Sequence, residues 1–313
     1  MRSSLIVVAA LSVMMGCGVE ATDPSQTGDS TTTQDALNPD VTPNGKGMQT
    51  IAYAQGGGGQ ARPSGGNGIS YHNGPVMTGT PNIYLIWYGN WSSDTNAQSV
   101  INAWANGIGG SAYYNINSTY YNGSGVHVSN AARNAGSTTD NYSQGTAVTD
   151  NGIQSIVSSA ISSGRLPADS NGVYFVLTSA DVNETSGFCT QYCGWHTHGS
   201  IGGVDIKYSF VGGSARCPSA CEWQTTGPNG GGSGDGMASI IAHEFEETTS
   251  DPDLNAWYDN RGYENADKCA WTFGTTSTAA NGALYNTTIG GKHLLIQRNW
   301  VNAAGGSCAM SYP

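Results

Sequence analysis

Residues 243–247 read His243-Glu244-Phe245-Glu246-Glu247, one substitution away from the zinc-peptidase pattern His-Glu-x-x-His, with glutamate in place of the second histidine. On a helix, positions four apart lie about one turn apart, so His243 and Glu247 can reach a single ion from one face. Glu244 then projects beside the pair, where the general base of a metallohydrolase stands. The same residues also suit an acidic helix end with a capping histidine, and the five-residue pattern alone leaves the two readings evenly balanced.

A third ligand shifts that balance. Downstream, "YENADKC" offers Glu264 and Asp267 on a segment that can return to the helix. In zinc peptidases of the glutamate type, the third ligand comes from a later helix, and an acid three or four residues on hydrogen-bonds a ligand histidine. Glu264 suits the first role and Asp267 the second. Asp253, ten residues after His243, is a rival, but Ser250 and Pro252 stand where that geometry needs a glycine. One histidine with two carboxylates leaves an ion less positive than two histidines with one carboxylate. Zinc would therefore polarise its water less, and Mn, Fe or Ca could compete for the site.

The elements that must position these residues alternate along the chain. "NIYLIWYG" (82–89) reads as a buried strand, and "SSDTNAQSVINAWANGI" as a helix capped by Ser93-Asp94, with Val100, Ile101 and Trp104 recurring on one side. "GVHVS" (125–129) reads as a short strand, and "DNGIQSIVSSAISSG" (150–164) as a helix ending at Gly164. "GVYFVLTS" (172–179) is a further strand, and "VDIKYSFVG" (204–212) alternates like an edge strand after a cysteine-rich loop. In "GDGMASIIAHEFEETTSD" Met237, Ile241, Phe245 and Thr248 form one stripe, opposite His243 and Glu247. The fold class implied is α/β (α+β): a mixed sheet with a zincin-like active-site helix, by analogy of fold, in a single disulfide-containing domain.

Composition sets the surroundings. Charged residues make up 11% of the chain and glycine 45 of its 313 residues, a balance typical of loop-rich extracellular proteins. A net charge of −11 opposes nucleic-acid binding. "MRSSLIVVAALSVMMGC" combines Arg2, an apolar run from Leu5 to Met15, and Gly16-Cys17, which reads as a lipoprotein signal over residues 1–16 with Cys17 acylated. Residues 17–67, rich in Gly, Ser, Thr and Pro, read as a disordered tether, and residues 68–313 as the folded domain. Membrane contact is then through the lipid anchor alone, and the protein stands on a bacterial cell surface.

Cys189, Cys193, Cys217, Cys221, Cys269 and Cys308 are an even set, which in an exported chain argues for three disulfides whose pairing the sequence leaves open. A Cys/His metal knuckle with His196 and His198 is the alternative, disfavoured by the three-residue cysteine spacing. Whether His196 or His198 reaches the metal is likewise open. Several tryptophans, Trp87 and Trp257 among them, read as core residues before they read as a sugar-binding surface.

The stretches "YHNGPVMTGTPNIYLIWYGNW", "VYFVLTSADV", "GFCTQYCGWH", "GDGMASIIAHEFEE" and "DPDLNAWYD…ENADKC" resemble the EXORDIUM, or phosphate-induced, protein family over about residues 70–310. That resemblance implies a secreted protein of the kind associated in plants with cell-wall growth. The family's His-Glu-Leu-x-Glu and Glu-Ile-Ala-Asp-x-Cys patterns fall on His243, Glu244, Glu247, Glu264, Asp267 and Cys269, with Asn265 in place of isoleucine, and leave Asp253 outside.

Together these readings lead to a cell-surface or secreted metal-dependent hydrolase, most simply a zinc peptidase acting on a peptide or cell-wall polymer. His243, Glu247 and Glu264 would hold zinc, Asp267 would orient a ligand, and Glu244 would act as base. The alternative is a non-catalytic cell-wall or carbohydrate-binding module with a structural or vestigial metal site.

Overall fold

The computed structural model describes residues 42–52, 68–303 and 305–313. The expected signal, Cys17 and most of the expected tether lie outside the described residues. A five-stranded sheet carries the fold, built from β1 (Asn82–Tyr88), β2 (Arg133–Asp140), β3 (Gly172–Thr178), β4 (Gly194–Ile201) and β5 (Val204–Val211). Three longer helices accompany it: α1 (Thr95–Gly107), α2 (Asp150–Ser162) and α3 (Gly234–Ser250). The strands lie in the order β2-β1-β3-β5-β4. The first four are parallel and β4 runs antiparallel to β5, so the sheet is mixed.

The local reasons are plain in the residues. β1 and β3 are almost uninterrupted apolar runs, buried along nearly their whole length, as central parallel strands with both faces covered must be. α1 starts where the Asp94 carboxylate accepts from the Ala97 N–H, and α2 where the Thr149 hydroxyl accepts from the Gly152 N–H. Ile201-Gly202-Gly203-Val204 closes the β4–β5 hairpin in two residues, with φ of +60° and +81° at the glycines, a backbone that residues with a Cβ resist. α1 and α3 pack together on the sheet. Trp104 of α1 meets Phe245 of α3 edge-on at 5.7 Å, and both rings contact Phe175 of β3.

Three expectations need correction. Residues 125–129 form no strand, only a single bridge between Tyr121 and His127; the strand beside β1 is β2, whose sequence RNAGSTTD is too polar to signal one. Val204–Val211 is not the edge of the sheet, because Gly194–Ile201, expected as loop, pairs along its outer side as β4. Residues 42–52, expected within the tether, belong to the same compact unit as residues 68–313, with Met48 fully buried. The low apolar content of that stretch hid one large side chain that the fold encloses.

The cysteines form three disulfides, Cys189–Cys217, Cys193–Cys221 and Cys269–Cys308. The two C-x3-C pairs therefore cross-link to each other, with no thiol left for a metal knuckle. They fasten the lead-in to β4 to the segment before α3. Among the described residues, no helix is long and apolar enough to cross a membrane.

Candidate metal centre

α3 is buried on every side. Met237, Ile241 and Phe245 join the core as their spacing predicts, yet His243, Glu244, Glu246 and Glu247 are also fully enclosed. A helix that buries charge around its circumference places that charge in low dielectric, where each group needs a partner. Glu246 has one: Asn299 donates to its Oε2 at 2.7 Å.

The opposite face carries the cluster. His243 Nε2 lies 3.0 Å from Glu247 Oε1 and 3.4 Å from Asp267 Oδ1. His196, on β4, places Nε2 3.2 Å from Glu264 Oε2 and 3.7 Å from Glu247 Oε2. Glu247 is thus shared by both imidazoles. Backbone contacts hold the loop in place, with the Asp267 N–H donating to Glu247 Oε1 at 2.9 Å and the Glu264 N–H to Asp267 Oδ2 at 3.2 Å. Glu244 lies close enough for one of its oxygens to sit within 4.8 Å of donor atoms of His196 and Glu247. A Cβ built on Gly194, the first residue of β4, would stand 2.7 Å from Ile240 Cγ2 and 3.1 Å from Glu244 Oε1, so a side chain there would crowd both.

The structure therefore brings His243, Glu244, Glu247, Glu264 and Asp267 into one space, from a helix and a loop 20 residues apart. It adds His196. Glu247 and Asp267 face the same nitrogen of His243, so Asp267 stands where a ligand would and not behind the ring. Glu264 stands across the cluster, against His196. Asp253 and His198 lie elsewhere, in a partly exposed group with Asp205 and Lys207. The signal for His196 was its place in "WHTH", which becomes legible only once residues 194–201 are known to be a strand passing α3.

The electrostatics of this space are unbalanced. Burial pushes the Glu244 and Glu264 carboxyls well above the ordinary range. Burial and then the Asp267 carboxylate raise Glu247. Burial pulls His196 down to about 4. Burial also opposes charge on His243, but Glu247, with Asp267, carries its pKa well above the usual imidazole value. Glu244, Glu247 and Glu264, crowded in a desolvated space, hold extra protons unless another positive charge joins them. Both Glu244 oxygens, Glu247 Oε2, Glu264 Oε1, Asp267 Oδ1 and His243 Nε2 are buried and make no hydrogen bond. So many bare donor atoms converging from a helix and a loop, with His196 of β4 beside them, fit a divalent cation. Mixed imidazole and carboxylate suits zinc or another transition ion better than calcium, which prefers an all-oxygen shell.

A cavity of about 260 Å³ adjoins the cluster, bounded by residues 42–47, Tyr192, Tyr263, Glu264 and Asp267. Only Asp267, at 8% exposure, shows more than a trace of surface within the cluster.

Residues 69–295 match the region described as "Phosphate-induced protein 1 conserved region". The chain belongs to this family. Among relatives, Protein EXORDIUM-like 5 of Arabidopsis thaliana is 37% identical over 216 residues, covering 61% of this chain and 59% of that protein. Protein EXORDIUM-like 3 of the same plant is 32% identical over 272 residues, 74% of this chain and 80% of that one. Protein PHOSPHATE-INDUCED 1 of Nicotiana tabacum is 24% identical over 226 residues, 61% and 67% of the two chains. No solved structure matches. The matched region of the phosphate-induced family spans the sheet, α3 and both segments that supply the cluster, as the motif resemblance implied.

Proposed function

We propose that this family member is a metalloprotein of the cell exterior whose buried centre hydrolyses its substrate, most simply a peptide bond. The single observation that carries the metal is the set of bare, buried donor atoms around Glu247. His243, Glu247, His196 and Asp267, with Glu264 against His196, are the side chains that would hold the ion, zinc first and Mn, Fe or Ca as competitors. A bound zinc ion supplies Lewis acidity and lowers the pKa of a coordinated water. Glu244 then serves as the proton acceptor: it borders the donor atoms and makes no hydrogen bond that would commit its oxygens elsewhere.

One observation favours a second reading, in which the centre is structural and the chain is a non-catalytic cell-wall or carbohydrate-binding module. His243, Glu244, Glu247 and His196 are 0% exposed, and a substrate must reach them past residues 42–49. Export is supported by the three disulfides, which persist in oxidising compartments; a lipid anchor at Cys17 completes the reading. Metal analysis of protein purified without chelator, followed by hydrolysis of a peptide library with and without chelator, tests both. Stoichiometric metal with chelator-sensitive cleavage supports the hydrolase. Metal without cleavage leaves the structural reading, and absence of metal removes the centre.

A further inference from the structure

The outer edge of β4 is the edge of the five-stranded sheet beside the cluster, and an unpaired edge offers N–H and C=O groups to any extended chain. Residues 45–50 take that offer, along the start of β4 and the residues just before it. The Thr50 N–H donates to the Gln191 carbonyl at 3.0 Å, the Cys193 N–H to Met48 at 2.9 Å and the His196 N–H to Gly45 at 3.0 Å, with Gln49 bridging Tyr192 in antiparallel sense. These contacts have the form of a peptide adding itself to a sheet edge.

The side chains fit as a ligand's would. Lys46 reaches the Asp150 carboxylate at 2.7 Å and lies over the Tyr192 ring at 5.1 Å. Met48 is fully buried, and the Gln49 carbonyl accepts from the Trp271 indole at 2.8 Å. Between them, Gly47 passes so close to the cluster that a Cβ there would stand 2.0 Å from both Asp267 carboxylate oxygens. At Gly45, where φ is +68°, a Cβ would stand 1.9 Å from the His196 carbonyl. The segment thus roofs the cavity and crosses the cluster with two glycines.

We infer that the edge of β4 is a binding groove for an extended polypeptide bearing a cation, a glycine and a large apolar residue in succession, and that residues 44–50 are its built-in occupant. The groove recognises main chain by the β4 edge, the cation by Asp150 and Tyr192, and the apolar residue by the Met48 pocket. It admits only glycine over Asp267. This inference needs no metal in the cluster, so it stands or falls apart from the hydrolase reading.

The test uses the full chain and a fluorescent peptide of residues 42–52, TPNGKGMQTIA. Gly45→Val with Gly47→Val should expel the occupant through the two clashes. The double variant is expected to bind the peptide saturably, one per chain, at least 10-fold more tightly than the wild type, whose own segment competes. The same peptide carrying Gly47→Val should bind neither. A double variant that retains its disulfides and near-ultraviolet dichroism yet binds no peptide overturns the inference. So does equal binding by wild type and variant, which places the peptide elsewhere. Loss of the fold in the double variant overturns it too, because a segment that cannot leave is core and not an occupant. Peptide binding by a double variant devoid of metal removes only the metal centre.

Discussion

Zinc should raise the melting temperature of this protein by an amount that Glu247 controls. Binding to the folded state alone stabilises it by RT ln(1 + [L]/Kd), about 2.7 kcal/mol at free metal 100 times Kd. For a folded part of about 250 residues, each kcal/mol moves the midpoint by roughly 2–4 °C, so metal-loaded protein should melt roughly 5–11 °C above chelated protein. Glu247 lies 3.0 Å from the nitrogen of one imidazole and 3.7 Å from that of the other, so Glu247→Ala removes the oxygen pair common to both halves of the cluster. Loss of a mere supporting contact weakens metal sites by about 10- to 100-fold, and loss of a shared ligand should do at least as much. At the same free zinc a 100-fold weaker site gains only about RT ln 2, or about 0.4 kcal/mol, and the gap shrinks to roughly 1–2 °C. Differential scanning calorimetry of both proteins, each with zinc and with chelator, reads this directly, because each variant is compared with its own metal-free form. Identical midpoints for the wild type in the two conditions would refute the metal reading. An undiminished gap in Glu247→Ala would refute its assigned place.

Glu244→Gln should retain metal in full by elemental analysis and lose hydrolysis by about 100-fold or more, the usual contribution of a positioned base; unchanged turnover would remove Glu244 from the mechanism. Phe245→Ala empties the contact between α3, Trp104, Phe175 and Tyr114, and should cost about 3–5 kcal/mol in chemical denaturation. Replacing both Cys269 and Cys308 by serine opens a loop of 39 residues, which chain entropy values at about 4 kcal/mol, measurable in the same denaturation series. Burial alone would raise Asp150, but hydrogen bonds from Lys46 and Ser186 lower its pKa below the ordinary 3.8. Its stabilisation of residues 45–50 is therefore full above that value and lost as pH falls through the lowered one. Hydrogen exchange of the Thr50 amide, corrected for intrinsic rate, should hold steady down to the ordinary 3.8 and accelerate as pH falls below it, and an Asp150→Asn chain should show no such step.

The sequence by itself determined the elements whose signal is local. Apolar runs with consistent flanks marked β1 and β3, capped amphipathic repeats marked α1 and α2, and the spacing of His243 and Glu247 put two donors on one helical face. An even set of cysteines in a chain built like an exported one pointed to disulfides, though their pairing depended on which loops the fold brings within reach. Tertiary structure alone decided the rest. β2 is polar and β4 mixes glycine with polar residues, so neither carries a period to read; each is a strand because a neighbouring strand offers it hydrogen bonds along its length. That placement makes His196 part of the cluster, across 47 residues of chain from His243. Residues 45–50 looked like tether because entropy opposes ordering so little apolar surface. What orders them is an external edge of main-chain donors and acceptors, a carboxylate for Lys46 and a pocket for Met48, none of which is written in the segment itself.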